Sequence, residues 1–252
     1  MFHLDGRVAL ITGATSGLGR HFSLTLARAG AKVALAARRL DKLQEVAAQI
    51  RALGGTAHAV ELDVTDTATV GPAFDAAEAA LGPIDIVVNN AGVPAGSWFT
   101  KTSDEEWRRV LDVNLDGVFR VGREAARRMQ AHKKGGSIIN VASIVGIGAL
   151  RTLTPYMASK AAVIHLTKGM ALELARDNIR VNALAPGYVS TEFNAEFLGS
   201  EEGQRLLAKV PMRRAGRPEE LDGPLLLLAS NAGSLITGTV IVADGGHLLS
   251  MS

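Results

Sequence analysis

Tyr156 and Lys160 are spaced so that they could share a proton. They lie four residues apart in the run Thr-Pro-Tyr-Met-Ala-Ser-Lys. Thr154 followed by Pro155 is typical of a helix start, because the hydroxyl can cap the helix and proline gives up an N–H that would be unpaired there. On a helix, residues four apart share one face. A nearby ammonium favours a phenolate, so we expect Lys160 to lower the pKa of Tyr156 from its usual value of about 10. The pair could then donate and accept a proton.

The spacing of this pair is also common by chance, as a half-buried tyrosine beside a solvated lysine, so other residues must support it. Ser143 lies thirteen residues before Tyr156, at the end of a predicted strand, and could donate a hydrogen bond to a substrate oxygen. Asn114 falls inside a predicted helix, where a polar side chain usually faces solvent or bonds locally. Its neighbours Val113 and Leu115 also allow an inward direction, in which case Asn114 would need buried partners.

A glycine-rich turn, 13–19, has the pattern Gly-x-x-x-Gly-x-Gly and stands between an apolar run and a helical pattern. The apolar run, 7–12, is typical of a buried parallel strand, and a second such run covers 32–36. Strand, glycine turn, helix and strand form the βαβ unit in which such a turn binds phosphate. Glycines let the backbone approach a pyrophosphate, and the helix N-terminus offers N–H groups. A purely structural turn is the alternative, but the context favours nucleotide binding.

Two arginines indicate which nucleotide to expect. An acidic residue at the end of the second strand of such a unit bonds the ribose 2′-hydroxyl of NAD. This chain has Arg38 and Arg39 there, and guanidinium groups suit a phosphate that carries about −1.5 to −2 charge. Asp41 follows, in the expected first turn of the next helix. NADP is therefore favoured over NAD, the alternative being two solvated arginines at a helix start.

The composition argues against several classes of function. The 252 residues are 47% hydrophobic, which suits one large core and a single domain over residues 1–252. The formal net charge is +2 and aromatic residues make up 4%, so nothing indicates a nucleic-acid partner. With no cysteine and six scattered histidines, no metal site is expected. Neither a signal peptide nor an apolar stretch of about 18 residues is present, so we expect a cytoplasmic protein that does not enter a membrane.

Strand patterns alternate with helical patterns along the whole chain. The strands are predicted at 7–12, 32–36, 56–62, 84–88, 137–142, 178–184 and 239–242. The helices are predicted from the glycine turn to 29, at 41–53, 66–81, 103–129 (one or two helices) and 154–176, and from 218 onward. The alternation predicts an α/β fold, a single-domain Rossmann-type doubly wound parallel sheet of about seven strands with helices on both faces. Ser103 with Glu106 indicates a capping box, Asp66 a helix cap and Pro224 a kink in the last helix.

The unusual residues follow the carboxyl ends of the predicted strands, where parallel sheets bind ligands. They are the glycine turn, 89–92, Ser143 and the Pro186-Gly187 pair. A polar stretch, 190–216, interrupts the alternation, and we predict that it is a substrate lid. The residues expected around the pocket are mostly apolar, with no charge to hold a carboxylate or a sugar phosphate, which favours a hydrophobic ketone or an acyl thioester. They are Val93, Pro94, Ile144, Val145, Leu150, Leu153 and Tyr188.

Six motifs, in order and at matching spacing, resemble those of the short-chain dehydrogenase/reductase family over nearly the whole chain. They are Thr12-Gly13-Ala14-Thr15-Ser16-Gly17-Leu18-Gly19, Asp63-Val64, Asn89-Asn90-Ala91-Gly92, Asn114, Ser143 with Tyr156-Met157-Ala158-Ser159-Lys160, and Pro186-Gly187-Tyr188-Val189-Ser190-Thr191. The resemblance extends to the 3-oxoacyl-carrier-protein reductases. It implies an enzyme that moves a hydride between a nicotinamide cofactor and a carbonyl or secondary alcohol.

The resemblance implies a catalytic role for four positions. Tyr156 would be the acid/base, and Ser143 would polarise the carbonyl. Lys160 would hold the nicotinamide ribose and lower the pKa of Tyr156, while Asn114 would hold a water that relays protons to Lys160. Substrate contacts would fall to Ser143, Val145, Leu150, Tyr156 and Tyr188.

The resemblance also implies a set of cofactor contacts, in which Asp63 and Val64 meet the adenine. Besides Tyr156 and Lys160 they are Gly13, Thr15, Ser16, Gly17, Leu18, Gly19, Arg38, Arg39, Asp63, Val64, Asn90, Ala91, Gly92, Pro186, Gly187, Val189 and Thr191. Ser16 stands where some members of the family carry a basic residue in the glycine turn. The expected NADP preference therefore rests on Arg38 and Arg39.

Six basic residues lie near the end of the 103–129 pattern, and they could mark a partner. They are Arg120, Arg123, Arg127, Arg128, Lys133 and Lys134. Cations favour a helix C-terminus, which explains them without any partner. A docking patch for an acyl carrier protein is the alternative that the resemblance suggests, and nucleic acid is the least supported. The family's usual homotetramer would pair the helices over 103–129 and 155–176.

The sequence thus predicts an NADP-dependent carbonyl reductase or alcohol dehydrogenase for a small molecule. Two alternatives stay open: a non-catalytic NADP(H)-sensing protein on the same fold, and a dehydratase or epimerase. The complete set of Ser143, Tyr156 and Lys160 argues against the first, because a sensor needs no proton donor. The short chain, with no added substrate domain, argues against the second.

Overall fold

The computed structural model describes residues 2–251 and contains one parallel sheet of seven strands. The strands are β1 (Val8–Thr12), β2 (Lys32–Ala37), β3 (Ala57–Glu61), β4 (Ile86–Asn89), β5 (Gly136–Val141), β6 (Ile179–Pro186) and β7 (Val240–Ala243). Their order in the sheet is β3-β2-β1-β4-β5-β6-β7. The doubly wound parallel sheet predicted from the sequence is therefore confirmed.

Helices lie on both faces of this sheet. They are α1 (Gly17–Arg28), α2 (Leu40–Ala52), α3 (Thr67–Leu81), α4 (Asp104–Leu111), α5 (Gly117–His132), α6 (Thr154–Leu174), α7 (Ala195–Gly199), α8 (Glu201–Leu207) and α9 (Asp222–Ala229). Helices α1, α2 and α9 pack on one face, and α3, α5 and α6 pack on the other. Asp66 caps α3 as predicted, since its carboxylate accepts from the Ala68 N–H at 2.9 Å.

Strand β1 shows why its sequence is a continuous apolar run. Successive side chains of a strand point to opposite faces, so Ala9 and Ile11 join the core beneath α1 and α2, while Val8 and Leu10 join the core beneath α3 and α5. All four are buried. A strand covered on both faces cannot alternate with polar residues, which is the pattern expected for parallel sheets.

The region predicted as one or two helices, 103–129, is interrupted at Asn114. Helices α4 and α5 are joined by a single π-helical turn, Asp112–Asp116. The predicted capping box at the start of α4 is half formed. Ser103 Oγ accepts from the Glu106 N–H at 3.2 Å, whereas the Glu106 carboxylate accepts from the Gly96 N–H at 3.4 Å.

The helix start predicted at Thr154 is confirmed, but the predicted capping role of its hydroxyl and the kink at Pro224 are wrong. Thr154 is the first residue of α6, and Leu153 occupies the capping position, where no side chain makes a capping hydrogen bond. Pro224 does not kink a helix, since a short 3-10 turn, Pro218–Leu221, ends before α9 and places the proline in the first turn of α9. Proline is tolerated there because the N–H it lacks would have no partner within the helix.

The predicted lid, 190–216, is more ordered than a polar interruption. It contains α7 and α8, which bury Leu198 and Leu207 against Val210 in a small apolar cluster that Tyr188 borders. None of the helices between residues 2 and 251 combines the length and apolar character needed to cross a bilayer.

Candidate active site

The cleft lies at the point where the strand order of the sheet reverses, between β1 and β4. From β1 the chain builds outward to β2 and β3, and it then returns to place β4 on the other side of β1. Ligands of open α/β sheets bind at this switch point, beyond the carboxyl ends of the strands. A cavity of about 790 Å³ opens there. Every residue predicted to contact the cofactor or the substrate or to act in catalysis lines this cavity, with the exception of Asn114. These residues lie in the glycine turn, 13–19, at the ends of β2 and β3, in 90–92 and 186–191, and at Ser143, Val145, Leu150, Tyr156 and Lys160.

The glycine turn is built for close backbone approach. A Cβ placed on Gly19 would lie 2.2 Å from the Gly13 carbonyl oxygen and 2.5 Å from Asn90 Nδ2, so a larger residue cannot be accommodated. Helix α1 begins within the turn, at Gly17, and the preceding residue, Ser16, makes no capping hydrogen bond with its side chain. The first residues of α1, Gly17, Leu18 and Gly19, line the cleft, as expected for binding a pyrophosphate.

Hydrogen bonds between β1 and β4 hold the two sides of the cleft together. Thr12 Oγ1 accepts from the N–H groups of Asn90 and Ala91, both at 3.0 Å. The Asn90 amide donates back to the Thr12 carbonyl at 3.0 Å. The sequence separates these partners by nearly eighty residues, and the sheet makes them neighbours.

Arg38 and Arg39 extend from the end of β2 to the cleft and are both exposed. Arg39 Nη2 lies 3.4 Å from Thr15 Oγ1, which links it to the glycine turn. Asp63 and Val64 line the same end of the cleft. The Asp63 carboxylate is held by Thr65, whose N–H and hydroxyl donate to it at 3.0 and 2.7 Å. Two exposed guanidinium groups at one end of a cleft are suited to bind a phosphate that enters from solvent.

Asn114 points inward, and the structure provides the partners that its burial requires. Its side chain is fully buried, accepts from the Val93 N–H at 2.7 Å and donates to the Val93 carbonyl at 3.0 Å and to Ser159 Oγ at 3.3 Å. A Cβ on Gly92 would lie 3.4 Å from Asn114 Oδ1 and 3.7 Å from Lys160 Nζ. The missing Cβ of Gly92 therefore leaves a small space between the two groups. The water relay remains a prediction.

Lys160 is almost completely buried, and no carboxylate lies within 4 Å of it among residues 2–251. Nζ donates to the Val141 carbonyl at 2.7 Å and lies 5.6 Å from the centre of the Tyr156 ring. Because burial penalises the ammonium, it lowers the pKa of Lys160 to about 8.

The predicted lowering of the Tyr156 pKa is wrong in direction for this structure. Part of Tyr156 is accessible from the cleft, but protein surrounds most of the side chain. Burial raises the pKa of the phenol, and contact with the Ser143 hydroxyl opposes this only in part. Lys160 Nζ donates to the Val141 carbonyl, and its presence does not reverse the raised pKa of the phenol. Tyr156 is thus held protonated, as a proton donor must be.

The substrate end of the cleft contains a cation that the sequence analysis missed. Val145, Leu150, Leu153 and Tyr188 form the apolar wall that was predicted. Arg109, from α4, also lines the cavity, and its Nη2 donates to the Pro94 carbonyl at 3.2 Å. The expectation of an uncharged pocket is therefore wrong. A helix-surface arginine gives no local sequence signal for this role, because its position depends on the loop packed against α4.

The predicted basic cluster is divided by ion pairs. Arg120 Nη1 lies 2.7 Å from Asp112 Oδ1 and donates to the Val64 carbonyl at 3.1 Å. Arg128 pairs with three carboxylates, those of Asp75, Glu78 and Glu124, at 2.7 to 2.9 Å. These two arginines hold elements together. The docking patch for an acyl carrier protein stays a prediction, and Arg120 and Arg128 are the two of its residues that form ion pairs among residues 2–251.

Comparison with known proteins places these observations in a family. The family model for short chain dehydrogenases matches residues 7–202. The chain is 40% identical over 246 residues to a 3-oxoacyl-[acyl-carrier-protein] reductase of Thermotoga maritima, covering 98% of this chain and 99% of that protein. It is 38% identical over 252 residues to gluconate 5-dehydrogenase of Gluconobacter oxydans, covering 100% and 98%.

A solved structure gives the same picture. The crystal structure of a gluconate 5-dehydrogenase from Burkholderia cenocepacia, in complex with NADP and tartrate, superposes with a TM-score of 0.93 at 40% identity. The match covers 98% of this chain and 96% of that chain. The chain therefore belongs to the short-chain dehydrogenase/reductase family and is an NAD(P)-dependent oxidoreductase.

Proposed function

We propose that this protein is an NADP-dependent reductase that moves a hydride between the nicotinamide and a carbonyl or secondary alcohol. The observation that carries the proposal is the meeting of Ser143, Tyr156 and Lys160 at the inner end of the cleft that begins with the glycine turn. Tyr156 is held protonated and borders the cleft. A proton donor beside a dinucleotide site is what carbonyl reduction requires.

The chain's own residues would divide the work of the reaction. When bound, the nicotinamide supplies or accepts the hydride. Tyr156 donates its phenolic proton to the carbonyl oxygen, and Ser143 donates a hydrogen bond to the same oxygen as negative charge develops there. Lys160 holds the nicotinamide ribose, and its buried ammonium favours the phenolate that Tyr156 leaves behind. Asn114 fixes the loop at Val93 and shares the space at Gly92 with Lys160.

NADP is proposed over NAD because of Arg38 and Arg39. Both stand at the adenosine end of the cleft, near Thr15 and Asp63. In this proposal Arg38 and Arg39 would hold the 2′-phosphate and supply positive charge to it. The remaining contacts are those implied by the family motifs: Gly13, Thr15, Ser16, Gly17, Leu18 and Gly19 at the pyrophosphate, Asp63 and Val64 at the adenine, Asn90, Ala91 and Gly92 at the sugars, and Pro186, Gly187, Val189 and Thr191 at the amide.

For the substrate we propose a 3-oxoacyl compound or a hydrophobic ketone. The wall formed by Val145, Leu150 and Tyr188 is apolar enough to receive an acyl chain, and the segment 190–216 would close over it. The similarity to a 3-oxoacyl reductase supports this choice. An acyl carrier protein is then the proposed partner, and its docking would use the outer cations Arg123 and Arg127.

A keto acid of the sugar-acid type is the second candidate, and Arg109 favours it. The guanidinium borders the substrate end of the cavity, where it could pair with a carboxylate. The similarity to gluconate 5-dehydrogenases supports the same candidate. The two candidates differ in whether an anionic group of the substrate meets Arg109.

A substrate panel tests both the function and the substrate. We would follow NADPH and NADH oxidation in parallel with hydrophobic ketones, β-ketoesters, 3-oxoacyl thioesters and keto-sugar acids. Arg109→Gln should raise KM about tenfold or more for keto acids alone if these are the substrates, since hydrogen bonds to charged groups contribute about 1.5–3 kcal/mol. Arg108→Gln is the matched control, because Arg108 is exposed on the same helix beside Asp104. Failure of every carbonyl compound with both cofactors would refute the proposed reaction.

We also propose the homotetramer that is usual in the family. Large apolar side chains remain exposed on three helices of the chain: Trp107 on α4 is 38% exposed, Phe119 on α5 44% and Leu172 on α6 83%. A second copy could cover them. Light scattering after size-exclusion chromatography measures the mass, and a monomer would contradict this part of the proposal.

A further inference from the structure

The first N–H of helix α1 is bound by a carboxylate from the lid. Glu192 Oε1 accepts from the Gly17 N–H at 2.8 Å, although the two residues are 175 positions apart in sequence. Helix α1 has no acidic residue in its first turn and no capping bond from its own Ser16. The lid therefore supplies the negative group that favours a helix N-terminus.

The backbone around Glu192 is shaped to hold this contact. Asn194 Oδ1 accepts from the Thr191 N–H at 2.8 Å, and Asn194 Nδ2 donates to the Val189 carbonyl at 2.9 Å. This local ring of hydrogen bonds fixes the turn that presents Glu192. The next residue, Phe193, is 73% exposed, and its ring lies 3.4 Å from the Cβ position of Gly17. The start of the lid thus covers the glycine turn with a carboxylate and an aromatic ring.

We infer that Glu192 competes with the cofactor's pyrophosphate for the N–H of Gly17 and so sets how tightly and how quickly the dinucleotide binds. One N–H cannot make a full hydrogen bond to both acceptors, and two anions at one helix N-terminus repel each other. This inference rests on the proposed use of the glycine turn as the pyrophosphate site. It makes Glu192 a residue that covers the pyrophosphate site and must move away when the cofactor enters.

The charge of Glu192 is consistent with such a competitor. The Gly17 N–H is the largest influence on this carboxyl and lowers its pKa, with a further contribution from the charge of Arg20. Glu192 is therefore an anion at neutral pH, like the pyrophosphate that it would mimic. Arg20 lies one turn further along α1 and is bonded to Gln49, at 2.9 and 3.2 Å. It offers a nearby cation toward which the displaced carboxylate could turn.

The competition has a measurable consequence for cofactor affinity. If the closed contact is populated most of the time, only the open fraction of molecules can bind, and the apparent Kd is the intrinsic Kd divided by that fraction. Removing the carboxylate should therefore tighten binding. A residue that merely supported the cofactor site would do the opposite when removed.

The test measures NADPH affinity and association rate by fluorescence for wild type, Glu192→Ala and Glu192→Gln. We expect Glu192→Ala to lower Kd about three- to tenfold and to speed association, and Glu192→Gln to give a smaller change because its amide oxygen can still accept from Gly17. Inorganic pyrophosphate, used as a competitor of NADPH, should gain affinity in the same order. Glu196→Ala is the matched control, since Glu196 lies in α7 of the same lid.

Each outcome decides a separate question. An unchanged or raised Kd in Glu192→Ala, with normal NADPH binding by wild type, would overturn the role of Glu192 and leave the proposed function standing. An equal gain in Glu196→Ala would also overturn it, because the effect would then belong to the lid's overall charge. Absence of dinucleotide binding by wild type would remove the proposed function itself.

Discussion

The floor and the roof of the cleft are built in opposite ways. The floor consists of the ends of β1, β2, β4 and β5, the π turn at Asn114 and the first turns of α6, and the roof is the lid, 190–216. On the floor, Asn114, Ser159 and Lys160 are at most 4% exposed and are bonded to neighbouring backbone or side chains. The roof has a core of only Leu198, Leu207 and Val210.

This difference teaches where each kind of function can be placed. Proton transfer requires groups held within a few tenths of an ångström, and the buried floor provides that through many partners. Entry and release of the cofactor and the substrate require a segment that opens at a low cost in free energy. An element with few buried contacts can open in this way. The comparison predicts that floor substitutions change turnover, whereas roof substitutions change binding and exchange.

The largest effect should come from the floor, at Tyr156. Tyr156→Phe removes the proton donor and keeps the ring, so kcat should fall by a factor of about 10²–10⁴ or more. The Kd of NADPH should stay within about twofold of wild type. Steady-state kinetics and fluorescence titration measure the two quantities, with Tyr188→Phe as the control phenol at the β6 end. A variant that keeps most of its rate would show that another group donates the proton.

Lys160 should show a second floor effect, in both rate and stability. Lys160→Met is expected to lower kcat about 10²-fold or more. Burial lowers the pKa of Lys160 to about 8 in the folded protein, from 10.5 in the unfolded chain. Between these values the unfolded state binds more protons, so the wild type should gain stability relative to the variant as pH rises from about 8 to 10.5.

Thermal unfolding at pH 7 and pH 9.5 checks this sign. The difference in Tm between wild type and Lys160→Met should shift in favour of the wild type at the higher pH. A difference that is the same at both pH values would indicate that Lys160 titrates normally and that its burial is relieved by solvent.

At the outer end of the floor, the arginines should decide cofactor choice. Replacing Arg38 and Arg39 together by Gln should raise KM for NADPH about 10- to 100-fold, because hydrogen bonds to charged groups contribute about 1.5–3 kcal/mol. KM for NADH should change little. Arg51→Gln is the control, since Arg51 lies at the far end of α2 and donates to the Ala57 carbonyl. Equal losses with both cofactors would place the 2′-phosphate elsewhere.

The smallest effect should come from the core of the roof. Leu207→Ala should change KM a few-fold and leave the main unfolding transition nearly unchanged, because the lid can open locally. Leu10→Ala, in the fully buried sheet core, should cost about 2–5 kcal/mol and lower Tm by several degrees. Limited proteolysis should cut the lid faster in Leu207→Ala only. Similar losses of Tm in both variants would mean that roof and floor unfold as one unit.

The sequence was most informative where the structure depends on local patterns. All seven strands were predicted because most of them are apolar runs bounded by turns, and the site followed because its motifs stand at the carboxyl ends of those strands. The edge strands β3 and β7 are only partly buried. The observed bounds differ from the predicted ones by one or two residues at most ends, as for β4, which begins at Ile86 instead of Ile84.

What could not be predicted depends on contacts between distant segments. Arg109 is held at the pocket by its hydrogen bond to the Pro94 carbonyl, in a loop that packs on α4. Glu192 contacts the first residue of α1, which lies 175 positions earlier in the sequence. The raised pKa of Tyr156 reflects three-dimensional burial, which the helical spacing of Tyr156 and Lys160 does not reveal. The π turn at Asn114 also has its reason in a distant contact, because the Asn114 side chain is bonded inward to Val93.

The strand order has one more consequence, for the moment at which the protein becomes able to bind. A growing chain that has reached residue 80 already contains the glycine turn, but the wall opposite it, 89–92, has not yet been made. Thr12 gains its partners at Asn90 and Ala91 only when β4 inserts beside β1. A dinucleotide bound across the junction of β1 and β4 would contact both the earlier and the later half of the chain and so stabilise their association. Its capture would therefore mark, and help to preserve, the completion of folding.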